Sequence, residues 1–455
     1  MNISIGQNFI KEKKFLKAEN FFLKLLDSGN KTINVYFFLG IANFELRNYE
    51  KSITYYNKCL ELDPKSIQVL INLAYVKESY GKIEEAKKIY LKIIQLNNNI
   101  IRSYYGLYNL NPKFLTESHF ERINYLEKNV NLSLFDKSLC EFLLSKKEKK
   151  RKNYKLEIEY LKKFHNDSFN SNIKFNKTSQ IYYNEIICNF FDKIEYKNYE
   201  KSNFIKEISP IFIIGLPRSG STLVEAILTS GKSNLITFGE NHSINMSVLD
   251  QIGKKIFSEE FDASEFKFQI DYNKFKEDVL YRYQQYIPMK KNTKIFLDKS
   301  LENFYNIDLI VKVFPKAKFL HCYRNSIDAI LSIYDSMLFQ LSWAHKIDDI
   351  MVYINNYKKV IKYFKQKYPL KILDIELKQL TLDEIKISKK IFKFCDLKWD
   401  KKSLEFYKRK DLKIRTLSNT QIRNKITKYD SKKYQPYRYL IKGYEKKYNW
   451  IANNT

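Results

Sequence analysis

The chain has 455 residues and carries 80 Lys and Arg against 51 Asp and Glu, a net charge of +29. A hydrophobic content of 44% and an aromatic content of 16% fill sizeable cores, which excludes a disordered chain, and the length allows two or three domains. Lys, Asn, Ile, Phe and Tyr are abundant together, as an AT-rich coding sequence produces, so most of the charge follows from composition and only a local part from anion binding; nucleic acid ranks last as a partner because the basic residues are spread and no stacking motif appears.

The first 14 residues contain no apolar h-region, and no apolar run approaches membrane-spanning length. The expectation is a cytoplasmic protein with no transmembrane segment. Cys59, Cys140, Cys188, Cys322 and Cys395 are scattered without a C-x-x-C pair and read as reduced core residues. The histidines form no ligand cluster with them, so no metal is expected; His321, inside an apolar run, reads as a satisfied core residue.

An internal repeat opens the chain. Small residues at Ala18, Ser52 and Ala86 recur at a 34-residue interval, each followed four positions later by a large one: Phe22, Tyr56 and Tyr90. Upstream, Tyr36, Leu39 and Gly40 match Leu70, Leu73 and Ala74 at the same interval. Small residues let paired helices approach, aromatics fill the space between them, and one such unit cannot bury its apolar face alone. The period resembles the tetratricopeptide repeat, with one partial and two good units over about 2–98 and a third that starts at Tyr104 and Leu107 and decays after Pro112. The repeats are read equally as a partner-binding surface and as a scaffold for the C-terminal domain.

From about 113 to 205 the pattern is helical but irregular, with apolar helical spacing over Leu132–Leu144 and Tyr154–Phe164. The basic cluster 146–152 reads as a solvated turn and the Asn/Ser-rich stretch 166–179 as a loop.

Residues 211–215, Ile-Phe-Ile-Ile-Gly, predict a buried strand. Leu216-Pro217-Arg218-Ser219-Gly220-Ser221-Thr222-Leu223 then makes a small polar turn running into a helix. Helix-start amides lack partners and lie at a positive dipole end. Gly220 leaves room for approach, Ser219, Ser221 and Thr222 add hydroxyl donors, and Arg218 adds a forked cation: a cradle for a phosphate-like anion. The Gly-Lys-Ser/Thr ending of the nucleoside-triphosphatase loop is missing.

Beyond it, short strands are predicted at 235–238, 295–297, 318–323 and 371–376, and an amphipathic helix at 273–287. Polar residues follow the strand ends, where ligands of open α/β sheets sit. Glu240 follows the first, in Gly239-Glu240-Asn241, placed to accept a proton. Lys299 follows the second, in Asp298-Lys299-Ser300. Arg324 ends the third, with Ser332 eight residues on; an arginine and a hydroxyl in this relation can clamp one anion.

The loop Pro-Arg-Ser-Gly-Ser-Thr-Leu resembles the 5′-phosphosulfate loop of the sulfotransferase family, which uses 3′-phosphoadenosine 5′-phosphosulfate (PAPS). The Gly-Glu, Asp-Lys and Arg…Ser pairs follow in that family's order, the tail 415–423 resembles the segment that folds over PAPS in the protein-tyrosine branch, and Lys433 stands before Tyr434 where relatives have a basic residue before Trp. The resemblance covers about 210–442. It implies Glu240 as general base, with Lys299 and Ser418 supporting the bridging oxygen. It places Arg218, Ser219, Gly220, Ser221, Thr222 and Leu223 on the 5′ phosphosulfate, Arg324, Ser332 and Lys433 on the 3′ phosphate, and Arg415, Gln421 and Arg423 nearby. Two departures stand out. Asn325-Ser326 replaces the usual Asp-Pro, and Ile375 precedes Glu376 where relatives carry a tyrosine that helps hold adenine.

The expected fold is an α-helical tetratricopeptide solenoid (1–112), a helical connector (113–205), and an α/β P-loop-like sulfotransferase domain with a mainly parallel sheet (206–455). The expected activity is transfer of the sulfuryl group of PAPS to an acceptor hydroxyl, with a lean toward a protein tyrosine held by the repeats. The alternative is a catalytically inactive, repeat-based protein-binding scaffold.

Overall fold

The computed structural model describes residues 2–199, 208–231, 235–256, 266–285, 295–409 and 421–452. They divide into two compact units, one of 2–147 with 281–285, the other of 148–280, 295–409 and 421–452.

The first unit opens on seven helices: α1 (Ile3–Lys11), α2 (Phe15–Asp27), α3 (Ile33–Glu45), α4 (Tyr49–Leu62), α5 (Ile67–Ser79), α6 (Ile83–Leu96) and α7 (Ile101–Leu110). The 34-residue small positions do what their size demands. Ala18, Ser52 and Ala86 are fully buried, and the aromatics that follow them, Phe22, Tyr56 and Tyr90, are at most 3% exposed. A Cβ on Gly40 would lie 2.6 Å from the Tyr56 ring, and one on Gly6 2.4 Å from Phe22. Ser52 spends its hydroxyl on the Gly40 carbonyl at 2.7 Å, so the polar small residue leaves no buried donor unmatched.

The turn inside each repeat is the same three times over. Lys13, Arg47 and Gly81 take left-handed backbone with φ of 56°, 63° and 84°. The next amide in each case reaches back five residues: Lys14 to Phe9, Asn48 to Asn43 and Lys82 to Lys77, each at 2.8 Å. This double-bonded cap uses carbonyls that a helix end would otherwise strand.

The chain continues through α8 (Glu117–Asn129), α9 (Leu134–Lys150), α10 (Tyr154–Asn170), α11 (Ile173–Ile181) and α12 (Ile187–Phe190). Two expectations are corrected here. Residues 146–150 belong to α9 instead of a turn, because their charges find partners: Lys147 pairs with Glu117 at 2.5 Å and Lys149 with Asp335 at 2.6 Å. The stretch 166–179 is helical apart from the break at 171–172. Its polar side chains cap that break locally, with Ser171 Oγ on the Ser168 carbonyl at 2.7 Å and Asn176 Nδ2 on the Phe169 carbonyl at 2.8 Å.

The second unit carries the strands β1 (Glu195–Lys197), β2 (Ile211–Gly215), β3 (Ile236–Thr237), β4 (Gln269–Asp271), β5 (Phe296–Asp298), β6 (Lys318–Tyr323) and β7 (Ile372–Glu376). A small pair joins β1 to β4 in parallel. The main sheet is parallel throughout, in the order β3-β5-β2-β6-β7. Parallel neighbours require crossovers, and helices supply them: α13 (Ser221–Leu228), α14 (Ser243–Ile256), α15 (Tyr272–Gln284), α16 (Ile307–Val313), α17 (Ser326–Tyr334) and α18 (Ile347–Lys367), with α19 (Leu377–Leu382) and α20 (Glu384–Phe394) after the last strand. Every residue of β2 is buried, as its unbroken apolar run requires of a central strand. From β2 the chain leaves toward β3 on one side, while β6 and β7 lie on the other, so the switch point falls at the carboxyl end of β2. His321 is a satisfied core residue, bonded to Asp374 Oδ1 at 2.7 Å and to the Tyr357 hydroxyl. All five cysteines are free and buried. Among the described residues no helix is long and apolar enough to cross a membrane.

Candidate active site

The site is built on the carboxyl ends of four neighbouring strands. After β2, Gly215 presses so close to β6 that a Cβ would sit 2.2 Å from the Cys322 carbonyl oxygen; only glycine fits. Arg218 follows in left-handed backbone, φ 65°. Gly220 is the N-cap of α13 at φ 86°, and a Cβ there would lie 2.7 Å from Leu377 Cδ1. The loop is thus held tight from both sides. Ser221 and Thr222 form the first turn of α13, each 6% exposed, and the Leu223 amide turns back to the Gly220 carbonyl at 3.0 Å.

Two pairs of the expected residues come together. At the end of β6, the Arg324 guanidinium donates to the Arg218 backbone carbonyl at 3.2 Å, so both arginines stand at one rim of the sheet. Burial lowers the Arg218 pKa; Tyr434 and the Asp335 carboxylate oppose that, and the neighbouring Arg324 charge adds to it. Two adjacent guanidinium groups at a strand-end rim suit an anion. Asn325 caps α17 by accepting from the Ile327 and Asp328 amides at 3.0 and 3.2 Å, so the change from Asp-Pro keeps a capped helix start. Ser332 is buried within α17.

The second pair joins β3 and β5. The Lys299 amide donates to the Gly239 carbonyl at 2.9 Å, which sets the two strand ends side by side. Lys299 is fully buried, and its Nζ lies 2.5 Å from Glu240 Oε1, whose side chain is 39% exposed. The Asp298 carboxylate fixes the bend by accepting from the Ser300 amide at 2.7 Å and from Asn303 Nδ2 at 3.3 Å.

Lys433 is exposed, with Nζ 5.3 Å from the centre of the Tyr434 ring. Ser418 and Arg415 lie outside the described residues, as does the side chain of Gln421. The buried donors of the site without a hydrogen-bond partner among the described residues include Ser219 Oγ and Arg324 Nε. An anion with several oxygens matches such donors on both sides of the loop.

Residues 210–401 match the model of the sulfotransferase family. This segment belongs to the sulfotransferase family. Ahead of the sulfotransferase domain, 33–66 and 67–100 each match a tetratricopeptide repeat. Over 402 residues the chain is 25% identical to an uncharacterized protein of Aquifex aeolicus, covering 82% of this chain and 49% of that protein. Over 84 residues it is 34% identical to the Sol locus transcriptional repressor of Clostridium acetobutylicum, covering 18% of this chain and 26% of that protein. The chain therefore spans half or less of the length of these relatives. The sulfotransferase domain of the Synechococcus PCC 7002 olefin synthase is 17% identical and overlays with a TM-score of 0.34, covering 52% of this chain and 91% of that one. That score carries no weight beside the family match.

Several residues at the candidate site escape sequence reasoning. Tyr429 accepts from Arg324 Nη2 at 3.2 Å and donates to Asp328. Tyr434 lies 5.6 Å from the Arg324 guanidinium. Glu225 faces Lys299 from α13, 3.7 Å away. The tyrosines sit in a segment without periodicity, so only the fold could bring them to Arg324. Glu225 carried a usable signal, a carboxylate among the apolar residues of the helix that follows the loop.

Proposed function

We propose that this chain transfers the sulfuryl group of PAPS to an acceptor hydroxyl. The observation that carries the reading is the buried Lys299 paired with the exposed Glu240, on the same strand-end rim as the Arg218 loop and Arg324. PAPS would supply the sulfuryl group. Arg218, the amides that open α13 and Leu223's turn, and the hydroxyls of Ser219, Ser221 and Thr222 would hold its 5′ end. Gly220 leaves that approach open. Arg324, Ser332 and Lys433 would hold the 3′ phosphate.

In an in-line displacement the bond from sulfur to the acceptor oxygen forms as the bond to the bridging oxygen breaks. Catalysis then consists of positioning and charge stabilisation. Lys299 would neutralise the charge that grows on the bridging oxygen, with Ser418 beside it as the resemblance implies. Glu240 would turn from Lys299 to take the acceptor's proton; its exposure leaves it free to do so. The lean toward a protein tyrosine, with the polypeptide held by the repeats, rests on the resemblance of the Gly-Glu pair and the tail. Five buried thiols support a reducing compartment such as the cytoplasm.

The test is incubation with labelled PAPS and a panel of peptide, carbohydrate and small hydroxyl acceptors. Glu240→Gln is expected to lower kcat by about 10²- to 10⁴-fold, the range of a lost general base, with adenosine 3′,5′-bisphosphate still bound. Intact turnover in the variant would remove Glu240 from its role. A protein that binds neither nucleotide would favour the scaffold reading.

A further inference from the structure

Among the described residues, the carboxylates of Glu240 and Glu225 approach the Lys299 ammonium, and their surroundings differ. Glu240 Oε1 is 2.5 Å away, on a loop, with a side chain 39% exposed. Glu225 Oε2 is 3.7 Å away, in the second turn of α13, with a side chain 4% exposed. The other Glu225 oxygen accepts from Thr237 Oγ1 at 2.6 Å, and Thr237 pairs in register with Leu297, two residues before Lys299. Glu225 is therefore fixed to the strand pair that carries Lys299, while Glu240 has solvent on one side.

This difference matters because Glu240 has two incompatible tasks. It cannot neutralise Lys299 and also turn to an acceptor hydroxyl. An ammonium fully out of water, left without a counter-charge, is unstable there and gives up its proton or its position. Glu225, 3.7 Å away and fixed in place, can hold the charge while Glu240 is engaged. We propose that Glu225 is a positioning residue: it keeps Lys299 charged and directed at the reacting oxygen while Glu240 is released to the acceptor. This inference rests on the sulfuryl-transfer reading for its purpose; the fixed pair itself does not.

The experiment is a double-mutant cycle. Glu225→Gln and Thr237→Val are made singly, and Glu225→Gln is also combined with Lys299→Met. Glu225→Gln is expected to lower kcat about a hundredfold, as a displaced catalytic group does, with little change in the KM for PAPS. Thr237→Val, which loosens Glu225 without removing it, should lower kcat less. In the Lys299→Met background Glu225→Gln should add no further loss. An equal loss in both backgrounds, or an unchanged kcat in Glu225→Gln, overturns the proposal. If the parent protein transfers no sulfuryl group to any acceptor, the functional reading falls, and thermal unfolding decides the pair on its own. Glu225→Gln should then lower Tm in the parent and not in Lys299→Met; additive shifts overturn the pairing.

Discussion

Arg324 shows how much one side chain is asked to do. Its guanidinium donates to the Arg218 carbonyl and the Tyr429 hydroxyl, both at 3.2 Å, lies 5.1 Å from the Tyr429 ring centre, and stands 3.7 Å from Asp328. A planar fork serves several partners in one plane and still offers an edge to a phosphate; an ammonium has no such geometry. Arg324→Lys should therefore weaken binding of adenosine 3′,5′-bisphosphate by about ten- to a hundredfold, the equivalent of one charged hydrogen bond, read by calorimetry. Unchanged affinity would take Arg324 out of the nucleotide site. Burial, followed by the hydrogen bond to Asp328, pushes the Tyr429 phenol up to about 12, so Tyr429 stays a neutral donor at working pH and holds the tail to α17 without adding charge.

The repeat helices depend on close approach more than on hydrophobicity. A Cβ on Gly40 already lies 2.6 Å from the Tyr56 ring, and that ring packs against Phe37 at 5.9 Å, which limits its retreat. Gly40→Val should cost about 1–3 kcal/mol, as overpacking does, seen as a lower urea midpoint, with nucleotide affinity in the other unit preserved. A variant as stable as the parent would mean that the helix pair can spread. This architecture was legible because the small and aromatic positions keep their 34-residue register, and the strand 318–323 was legible because its apolar run ends at Arg324. The repeat turns were less so. Gly81 announces left-handed backbone, but Lys13 and Arg47 adopt it too, and only the capping bonds reveal why. Stretch 166–179 misled because Asn and Ser suggest loops; here their side chains bond to nearby groups and leave the helices intact. The partners of Lys299 and Arg324 were split in the same way. Glu240 follows its strand directly, whereas Glu225 and Tyr429 arrive from a helix and a tail that only the tertiary structure brings near.

Buried histidines tie the stability of the molecule to pH. His345 is 4% exposed, with Nδ1 3.3 Å from His165 Nδ1, while His165 Nε2 donates to the Tyr334 carbonyl at 2.8 Å. Burial brings the His345 pKa down to about 4, against a hydrogen bond with the Phe339 backbone that opposes it. Burial also lowers His321, opposed by Asp374. Both stay neutral in the fold where the unfolded chain is protonated, near pH 6.5. The unfolded state then binds more protons, so stability is fully present above pH 6.5 and falls as pH drops below it. For His345 the loss continues to about pH 4 and amounts to about 2 kcal/mol at pH 5. Asp374 behaves differently. Burial would raise it, but hydrogen bonds from His321 and Lys365 outweigh that and set it at about 2, so it remains charged through this window. Urea unfolding at pH 7, 6 and 5 separates these groups. The parent should weaken steadily toward pH 5, and His345→Gln, though less stable at pH 7, should show a shallower slope. A variant slope equal to the parent's would mean that His345 accepts a proton inside the fold as readily as outside it, and that the loss belongs to other groups.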